Sequence, residues 1–172
     1  MTETPDMASP SQPQTASAAP VIRVLNQFIK DLSFENPGAS VQEQPNIELG
    51  IDVGATPKAD AANTYEVVLK LQARAGTKET ALFILELDYA GLFQVEGLPA
   101  ETLEQVLLIE CPRILFPFAR RIIADISSEG GFPPLRIDPV DFAALYNTQK
   151  QRAAAAQQAQ AAAAPETPSI QI

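Results

Sequence analysis

The chain has 172 residues, a formal net charge of −9 at neutral pH, no histidine and a single cysteine. The lack of histidine excludes His-dependent catalytic triads and histidine metal sites, and one cysteine excludes zinc–cysteine clusters and intramolecular disulfides. The acidic balance argues against nucleic acid and anionic membrane surfaces as partners, and it favours basic ones.

The two ends of the chain differ in composition from the middle. Residues 1–20 are rich in Thr, Ser, Pro, Gln and Ala, and they lack both the basic start and the apolar run of a signal peptide. Residues 149–164 are almost only Ala and Gln, which favours a helix that frays. We therefore predict a disordered N-terminal tail over 1–20, one domain over 21–152 and a flexible Ala/Gln-rich tail over 153–172, without direct membrane insertion.

The first half of the domain alternates between apolar and polar residues, as half-buried strands do. Four strands are predicted, the first around Leu32 and Phe34 and the others near 47–53, 65–74 and 82–89. Residues 99–150 instead follow a helical period. Strands followed by helices predict an α+β fold, in which an antiparallel sheet is covered by helices on one face.

The helical half contains several proline and capping signals. Pro112 is expected to end the first helix, because proline lacks an N–H group and crowds the preceding turn. The last helix is expected to start at Asp138, as an N-cap before Pro139. The helix over 113–127 is apolar on more than one side. This width predicts either packing against a second subunit or a position deep in the core.

Acidic residues concentrate on the outward positions of the predicted sheet. Those positions hold Asp31, Glu35, Glu48, Asp52, Glu86 and Asp88. An ordinary solvated face is the simpler interpretation. Leu82 and Ile84 lie in the same row as Glu86 and Asp88, and apolar side chains rimmed by acids favour a docking surface for a partly basic partner.

Signs of catalysis are weak. Cys111 lies between apolar segments without a histidine to act as its base, which predicts a small buried hydrophobe rather than a nucleophile. The phosphate-binding patterns GxxxxGK[ST] and GxGxxG do not occur in the sequence. We therefore predict that the protein is not an enzyme and uses neither a metal nor a cofactor.

Several motifs resemble those of the SecB family of bacterial export chaperones. The similar segments, with the family pattern in parentheses, are KDLSFE at 30–35 (KDISFE), YEVVL at 65–69 (YEVVL), CPRILFPFAR at 111–120 (CPxILFPYAR), GGFPPL at 130–135 (GxFPxL) and PVDFAAL at 139–145 (PVNFDAL). Together they span about residues 22–150. The chain departs from the family where Phe118 replaces the usual tyrosine and Arg113 stands where asparagine is common.

The resemblance implies a four-stranded antiparallel sheet with two main helices on one face, assembled as a dimer of dimers. It implies a cytosolic, ATP-independent holdase that binds unfolded preproteins, keeps them translocation-competent and delivers them to the SecA motor for export. Matched positions place SecA binding on Asp31, Glu35, Ile84 and Glu86, within the acidic row. The weaker client-binding candidates are Phe118, Phe132, Phe142 and Tyr146, which would be equally acceptable as core residues.

A second hypothesis is an oligomeric adaptor module that recruits one basic folded partner. An enzyme that uses carboxylates alone is disfavoured, because no histidine or cofactor motif accompanies the acids. Suppression of the aggregation of several unrelated proteins would distinguish the chaperone from the adaptor.

Overall fold

A computed structural model describes residues 20–39 and 45–162, and the structural statements below concern these residues. It contains four strands, β1 (Val21–Glu35), β2 (Asn46–Pro57), β3 (Thr64–Gly76) and β4 (Ala81–Glu96). They form one antiparallel sheet in the order β1-β4-β3-β2. The predicted α+β class and the four-stranded antiparallel sheet are confirmed. The predicted tails at 1–19 and 163–172 lie outside the described residues.

β1 is much longer than predicted, because it begins at Val21 rather than near Leu32. Its pairing with β4 skips one residue between Val24 and Asn26 and another between Ile29 and Asp31. An extra residue in a strand reverses the face that the following side chains take. The alternation of β1 therefore holds only within short segments, so a period of two residues does not reveal the full length of the strand.

The helical half begins with α1 (Ala100–Gln105), continues through a π-helical turn at Val106–Glu110 and passes directly into α2 (Cys111–Glu129). The prediction that Pro112 ends the first helix is therefore wrong. Pro112 lies in the first turn of α2, directly after the π-helical turn. The wider turn accommodates the proline ring and the missing N–H without ending the helix.

The last helix, α3 (Phe142–Ala162), starts three residues later than predicted. Asp141 caps it instead of Asp138, since its Oδ1 accepts the N–H groups of Ala143 and Ala144 at 3.0 Å each. The helix also extends through ten residues of the segment predicted as a tail, 153–162. This extension is consistent with the high helix propensity of Ala and Gln.

The core lies between the sheet and α2, which contacts β3 and β4. Its fully buried members include Leu69, Leu71, Leu85, Leu87, Phe93, Leu115 and Ile123. A Cβ atom at Gly91 would come within 2.8 Å of Leu115 Cδ2, so glycine allows α2 to approach β4 closely. Among the described residues, no helix combines the length and apolarity needed to span a bilayer.

Candidate functional site

The structure places all four predicted docking residues on one side of two neighbouring strands. Glu35 on β1 pairs with Ile84 on β4, Ser33 pairs with Glu86, and Asp31 pairs with Asp88. Directly paired residues share a face of the sheet, and this face is the one opposite the buried row of Leu85 and Leu87. We call the surface formed by Asp31, Glu35, Ile84 and Glu86 the acidic face.

β3 and β2 extend the acidic face sideways. Lys70 pairs with Asp88 and Asp52 in the sheet, and its Nζ lies 2.9 Å from Asp88 Oδ2. That hydrogen bond is the main cause that raises the pKa of Lys70. Gln72 Nε2 donates to Glu86 Oε1 at 3.3 Å. The outward acids outnumber the nearby basic groups, so the face suits a partner with positive charge.

An open depression of about 330 Å³ adjoins Ile84 and Glu86 on the same face. It is lined by Glu48, Leu49, Gly50, Gln72, Ala73, Arg74, Ile84 and Glu86. Arg74 and Gly50 were not singled out from the sequence. Arg74 pairs with Glu48 on β2 and with Ile84 on β4, and the alternation that identified Glu86 also places Arg74 on this face.

A cluster of three aromatic rings closes the end of the sheet under the α2–α3 loop. The ring centroids of Phe34, Phe83 and Phe132 lie 5.0–6.4 Å apart. Gly130 packs so closely on Phe34 that an added Cβ would come within 2.2 Å of its ring. Asn36 Nδ2 donates to the Gly130 carbonyl at 3.2 Å. These contacts fix the start of the loop that carries Phe132.

An apolar groove of about 260 Å³ lies beside this aromatic cluster. Its lining residues are Pro45, Ile47, Ala75, Leu82, Phe83, Phe132, Pro133, Pro134, Leu135 and Arg136. A second groove of about 390 Å³ runs between β2 and α1, lined by Val53, Gly54, Ala55, Ala100, Leu103, Glu104, Leu107 and Leu108. Each lining contains a single charged side chain, so both grooves suit apolar segments rather than polar ligands.

The four predicted client-binding residues occupy different environments. Phe132 lines the apolar groove. Phe118 is 46% exposed on α2, where its ring stacks near that of Tyr89 at 6.5 Å. Phe142 is 1% exposed and packs edge-on against Phe116, and Tyr146 is also buried. For Phe142 and Tyr146 the structure therefore favours the alternative role, that of core residues.

Ser127 anchors the loop that lines the apolar groove. Its fully buried Oγ donates to the Ala124 carbonyl at 3.0 Å and accepts the Leu135 N–H at 2.9 Å. Ser127→Ala should lower the free energy of unfolding by about 1–3 kcal/mol, because the buried Leu135 N–H loses its partner. Urea denaturation measures the loss. The exposed neighbour provides the control, since Ser128→Ala should stay within about 0.5 kcal/mol, and equal effects would contradict the assigned role.

Glu66 forms an ion cluster with two lysines on the outward side of the sheet. Its side chain is nearly buried, with 10% exposure. Lys30 Nζ binds Oε1, and Lys58 Nζ lies 3.2 Å from Oε2. The hydrogen bond from Lys30 is the largest cause that lowers the pKa of Glu66, while burial acts in the opposite direction. We call this group the Lys30–Glu66–Lys58 cluster.

The lowered pKa of Glu66 predicts a pH-dependent contribution to stability. The unfolded carboxyl takes up a proton near its ordinary pKa of about 4.3, whereas the folded one does so only at lower pH. The contribution is therefore complete above the unfolded pKa and is lost as the pH falls through the folded pKa. The urea midpoints of the wild type and Glu66→Gln should differ most near neutral pH and converge in acid. A difference that does not change with pH would contradict this, and exposed Glu96→Gln is the control.

Cys111 is fully buried near the start of α2, as predicted. Burial is the main cause that raises the pKa of its thiol to about 12, with a smaller effect from Glu110. Such a thiol is neither a nucleophile nor a metal ligand at neutral pH. Within residues 20–39 and 45–162, no group of three or more Cys, Asp or Glu side chains is arranged to hold a metal ion.

Comparison with known proteins identifies the family of the chain. The sequence profile described as "SecB: Preprotein translocase subunit SecB" matches residues 15–153. Protein-export protein SecB of Hyphomonas neptunium is 61% identical over 155 residues, covering 90% of this chain and 93% of that protein. The corresponding protein of Parvibaculum lavamentivorans is 55% identical over 140 residues, covering 78% and 82% respectively.

A solved structure has a similar fold. It is the SecB-like chaperone of Mycobacterium tuberculosis in complex with a peptide from the HigA1 antitoxin, which aligns with a TM-score of 0.59 and 14% sequence identity over 69% of this chain and 90% of that one. At this identity the likeness concerns the fold. The matching profile and the close relatives over most of the chain establish that the chain belongs to the SecB family, whose members are protein-export chaperones and not enzymes.

Proposed function

We propose that the protein is an ATP-independent cytoplasmic holdase that binds unfolded preproteins in its apolar groove and docks SecA on its acidic face. The observation that carries this proposal is the separation of the two surfaces. In β4, Phe83 lines the groove while the next residue, Ile84, lies on the acidic face. Because neighbouring residues of a strand point to opposite faces, SecA can dock without covering the rings that hold a client.

Client holding follows from the chemistry of the grooves. An unfolded preprotein exposes apolar side chains and aggregates through them. The aromatic and proline-rich lining of the apolar groove can bury such side chains without reading a particular sequence. Binding of the unfolded state opposes folding by mass action, so this step requires no ATP. The related fold in M. tuberculosis, which holds a peptide, is consistent with this role.

We further propose a homotetramer built as a dimer of dimers. β1 is an edge strand, and its residues Ile22, Val24 and Ile29 are exposed although they lie on the same face of the sheet as α2. On α2, Ile114 and Phe118 are exposed as well. Large exposed apolar side chains next to an open strand edge favour burial against other copies of the chain. Grooves from several copies would then act together, which strengthens weak client binding through effective concentration.

An aggregation assay tests the chaperone role against the adaptor alternative. Several unrelated proteins are diluted from denaturant with increasing amounts of the full-length protein, and light scattering is recorded. A holdase should suppress the aggregation of all of them at about one tetramer per client chain, with or without ATP. Suppression of none, together with tight binding of one folded basic protein, would favour the adaptor.

A further inference from the structure

The second extra residue of β1 decides which face the docking acids take. On one side of it, Phe28 pairs with Ala90 and Ile29 pairs with Tyr89; on the other side, Asp31 pairs with Asp88. If β1 ran on without the extra residue, Asp31 would lie opposite Leu87, whose side chain is fully buried on the inner face. The bulge at Lys30 therefore places Asp31 and Glu35 on the same face as Ile84 and Glu86.

Lys30 is this extra residue, and the group that binds its side chain lies on a different strand. It reaches from β1 across β4 to Glu66 on β3. Ala90 is the outward residue of β4 that lies between Lys30 and Glu66, and it is small and fully buried. Glu66 is held in turn by Lys58, which follows β2. The Lys30–Glu66–Lys58 cluster therefore joins the bulge to two other parts of the sheet.

A residue inserted in a bulge has no ladder partner of its own, so its side chain has a large share in holding its position. Glu66 is suited to act as the anchor, because its carboxylate is nearly buried while both lysines remain about half exposed. A nearly buried carboxylate keeps its cationic partners in place, since leaving it unpaired is costly.

We propose that Lys30 is a positioning residue for the acidic face. Through the Lys30–Glu66–Lys58 cluster it fixes the bulge, and the fixed bulge presents Asp31 beside Glu86 to a Lys- and Arg-rich segment of the docking partner. This inference rests on the proposed docking function and deepens it. A preorganised row of acids binds a basic segment more tightly than the same acids on a mobile strand.

The test exploits opposite expectations for one substitution. Lys30→Met removes a positive charge, so long-range electrostatics alone would strengthen the binding of a basic peptide. If Lys30 positions Asp31, the same substitution should weaken that binding by about threefold to tenfold. The affinity of the full-length protein for a synthetic Lys- and Arg-rich peptide is measured by fluorescence anisotropy. Lys78→Met is the matched control, because Lys78 is an exposed lysine in the β3–β4 turn and its loss changes the net charge equally.

Three further variants keep the result interpretable. Lys30→Arg retains the charge and the reach and should restore wild-type affinity, whereas Lys30→Gln should weaken binding as Lys30→Met does. In an Asp31→Asn background, Lys30→Met should lower the affinity for the peptide less than it does in the wild type, because its effect passes through Asp31. Amide hydrogen exchange at residues 29–31 should accelerate in Lys30→Met and not in Lys78→Met.

The outcomes separate this inference from the proposed function. If Lys30→Met binds the peptide as tightly as Lys78→Met while Asp31→Asn binds it weakly, the acidic face stands and the positioning role is refuted. If Asp31→Asn leaves the affinity unchanged, the acidic face itself is not the docking site. Additive effects of Lys30→Met and Asp31→Asn would also refute a positioning role that acts through Asp31.

Discussion

Replacing Asp31 and Glu86 together with lysine should weaken the binding of SecA by about tenfold or more. Both carboxylates are exposed on neighbouring strands of the acidic face. The substitutions remove two attractions and introduce two repulsions toward a basic segment, which slows association and destabilises the complex. Titration calorimetry at low ionic strength measures the effect, and added salt should shrink the difference between the two proteins.

A control pair of glutamates, away from the acidic face, distinguishes the role of this face from that of total charge. Glu96 and Glu101 are exposed at the far end of β4 and in α1. Their joint replacement by lysine gives the same net charge and should leave SecA binding within about twofold of the wild type. Client holding should be unchanged in both double variants. If the two pairs weakened SecA binding equally, binding would depend only on total charge, and this would contradict the assigned face.

Phe118→Asp should break the proposed assembly into smaller species. Phe118 is exposed on α2 beside Tyr89, whose sheet partner Ile29 is also exposed. If this surface packs against another copy, the variant buries an unpaired carboxylate in an apolar interface, at a cost of at least about 2–3 kcal/mol per copy. Light scattering coupled to size-exclusion chromatography gives the mass. Client holding should fall as well, because single copies lose the gain from linked grooves.

Phe118→Tyr is the matched control, because it restores the tyrosine that is usual at this position of the SecB family motif. It should keep the same mass and the same holding activity as the wild type. An unchanged mass for Phe118→Asp across a wide concentration range would exclude this side of α2 from the interface. Since Phe118 makes part of its contacts with Tyr89 inside the protomer, a circular-dichroism melt verifies that the variant is folded.

The parts of the fold that follow one simple period could be predicted from the sequence. β3 and β4 alternate cleanly and pair in register along most of their length, so their inner and outer rows were assigned correctly. β1 was underestimated because Leu25 and Lys30 each shift the period. The end predicted at Pro112 failed for a different reason. Proline chemistry alone favours a helix end at Pro112. The helix continues instead, because the π-helical turn before Pro112 accommodates the proline while the helix stays packed on the sheet.

The sequence could predict the residues of the acidic face but few of those that line the apolar groove. The acidic face lies on neighbouring strands, so alternation together with the family resemblance located it. The apolar groove draws Ile47, Phe83 and Phe132 from three separate segments. Only the folded chain brings those segments together, and Phe132 alone was identified beforehand. Phe142 satisfies the same aromatic criterion yet is buried, because composition does not distinguish a groove residue from a core residue.

The burial of Cys111 has a consequence for the kind of cargo that the protein can carry. Many exported polypeptides reach the oxidising side of the membrane with reduced cysteines that must pair there with each other. Thiol–disulfide exchange requires a thiolate, and a thiol with a pKa of about 12 supplies almost none at neutral pH. A carrier whose sole sulfhydryl is sequestered in this way cannot become covalently trapped on its passengers, so their cysteines remain free for the partners they meet after export.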